Sequence, residues 1–159
     1  MLAIIGKATP NKETGDVELY LSQFAQMYEQ KRRFAYAWSF NPDQTAVDHV
    51  RHSLAHDTVY LYLPCGSARS RLRMHVVDFY HDRHVAGTPC PVEWDDYCIK
   101  ELKGMHAFDS TVHGAIHIWL LIDSIESLTT PVELLSEFAP VFKNKYESYG
   151  RNFFAFRST

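Results

Sequence analysis

The sequence predicts an α+β fold in which strands and amphipathic helices alternate. Residues 56–63 and 70–78 form two extended segments joined by a short turn, which is the clearest strand signal in the chain. Residues 116–122 are apolar on both faces and predict a central strand. Residues 45–55 have apolar positions at helical spacing, so strands and helices occur together in one chain.

The length and composition indicate one ordinary globular domain. The chain has 159 residues, of which 46% are hydrophobic and 22% charged. The formal charge of −3 gives no overall attraction for nucleic acid, so binding of that kind requires a local basic patch.

The cysteines and the hydropathy predict a soluble cytoplasmic protein. Cys65, Cys90 and Cys98 form no C-x-x-C pair, and their odd number indicates a reduced, intracellular setting. The apolar run at the N-terminus is too short for a signal peptide, and no later run is long enough to span a membrane. No membrane partner is therefore expected.

The first 33 residues predict a short strand followed by a helix. Residues 2–5 are apolar, and residues 9–15 are rich in turn formers. Asp16 is a candidate N-cap for an amphipathic helix that runs to about Arg32.

Residues 34–40 alternate large and small side chains, which predicts a strand with one crowded face that carries Trp38 and Phe40. The turn formers at 41–43 end this strand. In the helix that follows, Val47, Val50 and Leu54 share one side and predict its buried face.

The C-terminal half is less regular until residue 116. Trp94 lies in a segment that predicts a short helix or irregular turns. Thr130 and Glu133 have the spacing of a capping box, with Pro131 at the first helical position, and so predict the start of a helix. Residues 149–156 predict a last strand.

The nine histidines do not combine into a recognisable catalytic or metal motif. His49, His52 and His56 share the side of their helix opposite the apolar one, where no acidic or thiolate ligand completes a tetrahedral shell, so no metal site is predicted. His81, His84 and His106 support one alternative function, a small histidine-dependent hydrolase or nuclease.

Three arginines at alternate positions give the strongest binding signal. Arg69, Arg71 and Arg73 project from one face of a strand, and planar guanidinium groups suit phosphate contact. An equally good interpretation is a sheet edge protected by positive charge against the addition of another strand.

Aromatic residues make up 14% of the chain, and most of them belong to the core. Trp38 is different because polar residues, including Asn41, follow it closely at a strand end. Base stacking and hydrogen bonding need this combination, so Trp38 is a candidate for lining a pocket.

The order of elements from residue 34 to 157 resembles the PUA-like superfamily, and within it EVE-type and ASCH-type domains. Residues 34–40 look like the aromatic first strand, and residues 57–62 like the strand with the pattern D-x-V-y-x-Y. Residues 119–134 look like a strand followed by a helix start, and residues 151–156 like the closing strand. His56 stands where the family usually has glycine.

The resemblance implies a small mixed, partly closed β-barrel of five to six strands flanked by helices, with a pocket that receives a flipped or modified base. By position, Trp38, Asn41 and Tyr62 are the candidate base-binding residues, and Arg69 and Arg71 the phosphate-binding residues. The expected function is a non-catalytic nucleic-acid-binding module, for DNA or RNA, without a cofactor.

In this interpretation residues 1–159 form one domain, and residues 1–33 are an N-terminal extension. The extension lies outside the resemblance and adds a helix or a contact for a homo-oligomer. A protein-interaction or oligomerisation domain that works through this helix is a second alternative function.

Overall fold

The computed structural model describes residues 1–6, 18–38, 42–63, 69–82, 88–98, 117–140 and 153–157. The chain has a mixed α+β structure, as the sequence predicts. The strands are β1 (Leu2–Ile5), β2 (Phe34–Trp38), β3 (Val59–Tyr62), β4 (Arg69–His81), β5 (Ile118–Glu133), β6 (Phe138–Pro140) and β7 (Phe153–Arg157). The helices are α1 (Glu18–Lys31), α2 (Gln44–His56) and α3 (Leu134–Glu137), with a 3-10 helix at Val92–Tyr97.

The described strands form one sheet in the order β2-β5-β4-β3-β1-β7-β6. The sheet is mixed, because β1 runs parallel to β3 and antiparallel to β7, while β3 runs antiparallel to β4. Among the described strands, β2 and β6 stand at the two ends of this order and the sheet is not closed. The predicted partial closure into a barrel of five to six strands is therefore not confirmed.

The contacts along the chain divide it into two compact units. The first consists of Met1–Ala8, Asp43–Val76 and Ile125–Thr159, and the second of Thr9–Pro42 and Val77–Ser124. The long strands β4 and β5 contribute residues to both units.

In the first unit, the strand register defines two different sheet faces. Tyr60 lies beside Ala3 of β1 and opposite His75 of β4, so these three residues share one face. On that face an apolar cluster joins the sheet to α3 and the start of β6, and its buried members are Ala3, Ile5, Tyr62, Leu134 and Phe138. The other face is aliphatic and fully buried, with the residues Leu2, Ile4, Val59, Leu61, Met74 and Val76.

Helix α2 begins at a capping residue and buries one side. The Asp43 carboxylate accepts a hydrogen bond from the Ala46 N–H at 2.9 Å, which satisfies one of the free donors of the first turn. The buried residues of the helix are Ala46, Val47, Val50 and Ser53. Its three histidines are exposed, which confirms the predicted orientation of this helix.

In the second unit, β2 is buried on both faces rather than crowded on one. Phe24 of α1 packs against Phe34 and Tyr36, with ring centroids 4.9 and 5.3 Å apart. On the opposite face, small alanines leave room for a cluster of larger side chains; its buried members are Ala35, Ala37, Trp94, Trp119 and Leu121. The alternation of large and small residues therefore reflects two different packing partners.

The predicted helix start at Thr130 is wrong. Residues 130–133 continue β5 in extended conformation, and α3 is a single turn that begins at Leu134. Glu133 occupies the N-cap position but makes no side-chain capping hydrogen bond. Val132 packs against the first unit's apolar cluster and Glu133 pairs with Arg69, and both contacts stabilise the extended form.

Several predictions fall on residues outside the described ranges. They concern the N-cap at Asp16, the turn residues 64–68, the pocket residue Asn41 and the loop histidines His84 and His106. Among the described helices, none has both the length and the apolar character that a membrane crossing demands.

Candidate nucleic-acid interface

The predicted row of three arginines faces strand β5. Arg73 donates to the Glu126 carboxylate, and Arg69 forms an ion pair with Glu133. Between these two pairs, Nη1 of Arg71 donates to the Thr129 carbonyl oxygen at 3.2 Å. All three guanidinium groups therefore reach the same neighbouring strand, as the alternating spacing requires. We call Arg69, Arg71 and Arg73 the arginine face.

Arg73 is the most constrained of the three. Its guanidinium carbon lies 4.5 Å from the centroid of the Tyr60 ring, a distance typical of cation–π contact. The hydrogen bond to Glu126 is the main cause that raises the pKa of Arg73 above its ordinary value. A hydrogen bond to the side chain of Tyr62, directly opposite on β3, raises this pKa further, whereas burial opposes the increase.

Tyr60 is the aromatic residue that accompanies the arginine face, and the sequence interpretation did not select it. Its half-buried ring lies 5.6 Å from the His75 ring and 6.4 Å from the Tyr62 ring. The available signal was its position two residues before Tyr62, which places both tyrosines on one face of β3. Tyr62 itself is only 1% exposed and belongs to the apolar cluster.

The charges of the arginine face are partly neutralised. Glu126 and Glu133 compensate two of the three guanidinium groups, so these five side chains carry one net positive charge. Within the described ranges, exposed Arg71 is bonded to a carbonyl oxygen and to no carboxylate. Arg71 is therefore the cation of the arginine face that a carboxylate compensates least, over the residues that the structure describes.

The position of β4 argues against a simple sheet edge, because this strand lies between β3 and β5. Over the described residues, the register with β3 ends at the pair Tyr62 and Arg73, four residues after the start of β4. In the segment before that pair, the buried Ser70 hydroxyl donates to the Leu72 carbonyl at 2.7 Å and accepts from the Leu72 N–H at 3.2 Å.

The structure brings together only part of the predicted site. Tyr62, Arg69 and Arg71 all belong to the first unit, on adjacent strands β3 and β4. Trp38 is the last residue of β2 in the second unit, with its backbone paired to Ile118. Asn41 lies outside the described residues, so the predicted base pocket stays a prediction.

Of the three histidines of the alternative function, the structure describes one, His81, which belongs to the second unit. The half-buried His81 ring stacks on Phe79 with centroids 6.3 Å apart. Nearby, Nδ1 of His117 lies 3.1 Å from the Asp82 carbonyl oxygen. Over the ranges listed above, no group of three or more histidine, cysteine or acidic side chains is arranged to hold a metal ion.

The resemblance to PUA-like domains also stays a prediction that depends on the order of the elements. We compared the chain with protein-family models, with curated proteins and with solved structures, and none of the three comparisons found a match.

Proposed function

We propose that the protein is a non-catalytic nucleic-acid-binding module that contacts the phosphate backbone through the arginine face. The supporting observation is the exposed guanidinium of Arg71, which the described residues leave without a carboxylate partner. Planar guanidinium groups bind phosphate oxygens through paired hydrogen bonds, a geometry that lysine does not offer.

Arg69 supplies the second phosphate contact. Its ion pair with Glu133 is exposed, with 64% and 45% of the two side chains accessible to solvent. An exposed pair of this kind contributes only about 0–1 kcal/mol, so a phosphate can replace the carboxylate at little cost. The acidic chain repels nucleic acid overall, and binding is therefore expected to be weak and strongly dependent on salt.

The finer form of the proposal is recognition of a flipped or modified base, as the resemblance to PUA-like domains implies. The element order β2, α2, β3, β4 supports it, since this order underlies the resemblance. Beside the proposed phosphate site, the Arg73 guanidinium lies over the Tyr60 ring. Nucleic-acid bases stack on guanidinium groups and on aromatic rings, so this pair also supports the proposal.

Fluorescence anisotropy with labelled oligonucleotides tests the proposal. Single-stranded and duplex DNA and RNA, plain and with modified bases, are titrated with the protein at about 50 and 200 mM salt. We expect binding at low salt that weakens steeply at high salt. Arg71→Ala should weaken binding to every sequence and reduce the salt slope by about one.

Arg33→Ala is the matched control, because Arg33 is exposed and lies outside the arginine face. Absence of binding at low salt, or equal losses in the Arg71 and Arg33 variants, contradicts the proposal. Recovery of shortened oligonucleotides after incubation would instead favour the histidine-dependent nuclease.

A further inference from the structure

Two exposed histidines lie one helical turn apart at the end of α2. His52 and His56 have ring centroids 4.5 Å apart and ring planes inclined by 49°. Residues four positions apart on a helix are neighbours on its surface, so both imidazoles project from the same side. The Asp57 N–H donates to the Ser53 carbonyl at 2.7 Å, and this α-helical hydrogen bond fixes the backbone between them.

We propose that His52 and His56 form a two-histidine chelate for a divalent transition-metal cation such as Cu²⁺, Ni²⁺ or Zn²⁺. Imidazole nitrogen is a preferred ligand for these ions, whereas Mg²⁺ and Ca²⁺ prefer oxygen. Two ring nitrogens from adjacent turns occupy neighbouring positions around one ion, and water fills the others. Such an open site needs none of the acidic or thiolate ligands that a closed tetrahedral site requires.

The two carboxylates that flank the pair along the chain make other contacts, so the proposed site has two protein ligands among the described residues. The Asp48 carboxylate accepts a hydrogen bond from Gln44 at 2.8 Å. The Asp57 carboxylate is bound to the α-amino group of Met1 and to the Thr58 N–H. The proposed site is independent of the arginine face and of nucleic-acid binding.

Isothermal titration calorimetry of the full chain, without a histidine tag, tests the site with NiCl₂ and CuCl₂. We expect one equivalent to bind and Cu²⁺ to bind more tightly than Ni²⁺, in the order typical of nitrogen ligands. His52→Ala and His56→Ala should each weaken binding at least tenfold, since even loss of an outer-shell partner costs about 10- to 100-fold. Excess Mg²⁺ should not compete.

His49→Ala is the matched control, because His49 is also exposed on α2 but lies about two helical turns before His56 and is not a member of the ring pair. It should leave the affinity within about threefold of the unsubstituted chain, a difference below 1 kcal/mol. Circular dichroism confirms that the variants, all at exposed positions, retain their helices. No binding by the unsubstituted chain, or unchanged binding by the His52→Ala/His56→Ala double variant, overturns the proposal.

Discussion

The guanidinium of Arg73 donates two hydrogen bonds to one carboxylate oxygen of Glu126, at 3.0 Å from Nε and 2.5 Å from Nη2. The two residues are 53 positions apart in the sequence and lie on adjacent strands β4 and β5. Because Arg73 also lies over the Tyr60 ring of β3, a single side chain connects three neighbouring strands.

Removal of this side chain should destabilise the fold. We expect Arg73→Ala to lower the free energy of unfolding by about 1–2 kcal/mol, because it removes a partly exposed ion pair and a cation–π contact. Urea denaturation measures the change. Arg51→Ala, at an exposed position on α2, should stay within about 0.5 kcal/mol of the unsubstituted chain. Equal losses of unfolding free energy in the two variants would show that the contacts of Arg73 contribute nothing to stability.

Neutralising Glu126 should strengthen nucleic-acid binding, if the arginine face is the phosphate site. Glu126→Gln keeps the shape of the side chain but leaves the charge of Arg73 uncompensated by it. Anisotropy titrations at about 50 mM salt should show roughly fivefold tighter binding, equivalent to about 1 kcal/mol. Glu93→Gln changes the net charge equally at an exposed position that makes no ion pair with the arginine face among the described contacts, and should have a smaller effect.

The stability contributed by Asp57 should depend on pH. The hydrogen bond from the α-amino group of Met1, followed by that from the Thr58 N–H, lowers the pKa of Asp57 below 3.8. A lowered carboxyl pKa stabilises the fold above the ordinary value, and this stabilisation is lost as the pH falls through the lower folded-state value. The difference in thermal midpoint between the unsubstituted chain and Asp57→Asn should therefore shrink in acid.

A second measurement tests whether the α-amino group of Met1 lowers the pKa of Asp57. Residues added before Met1 remove the α-amino group from this position, so the pKa of Asp57 measured by NMR should rise toward 3.8. An unchanged pKa in the extended chain would mean that the ion pair does not form in solution.

Replacement of Thr130 should hardly change the stability of the fold, although its sequence context is that of a helix cap. It is exposed in the extended part of β5, and we expect Thr130→Ala to change stability by less than about 0.5 kcal/mol. Asp43→Ala removes the capping carboxylate of α2 and should cost about 0.5–2 kcal/mol. Chemical denaturation of both variants decides the matter, since comparable losses would indicate that Thr130 caps a helix after all.

The apolar core should be sensitive to truncation in β5, which lies between β2 and β4 in the sheet. Leu120 is completely buried in β5, and Leu120→Ala should cost about 2–5 kcal/mol by leaving a cavity. Val92 is 87% exposed, so Val92→Ala provides a surface control with little effect. A loss below 1 kcal/mol for Leu120→Ala would imply that the surrounding side chains collapse into the space.

Local periodicity was sufficient to predict most of the elements. The strand at residues 2–5, the helix at 45–55 and the two consecutive strands β3 and β4 are all confirmed, and the structure shows that β3 and β4 pair in antiparallel orientation. In each of these segments the apolar spacing agrees with the conformation that packing requires, so the local and tertiary preferences coincide.

The main error of the prediction, the helix start at Thr130, occurred where the local and the tertiary preferences differ. The segment from Thr130 to Glu133 has good local signals for a helix start, but Val132 and Glu133 make contacts that only the extended form provides. Those contacts involve Arg69 of β4 and an apolar cluster that includes Ala3, Ile5 and Tyr62, all distant in sequence. Tertiary interactions outweigh a local preference of about 1 kcal/mol, and a single-sequence pattern cannot reveal them.

For the candidate site, the sequence predicted the arginines of β4 but not their partners on β5. Alternation placed Arg69, Arg71 and Arg73 on one face, and their contacts with β5 confirm it. Their acidic partners are more than 50 positions away, and nothing in the local pattern pairs Arg73 with Glu126 rather than with another carboxylate.

Ser70 supplies a hydrogen-bond partner to the backbone near the start of β4. A peptide group that is withdrawn from water needs such a partner, because leaving it unsatisfied costs free energy. Here one hydroxyl, at a position only 1% exposed, bonds to both polar groups of Leu72. A single side chain thus replaces water at two backbone groups of the same residue.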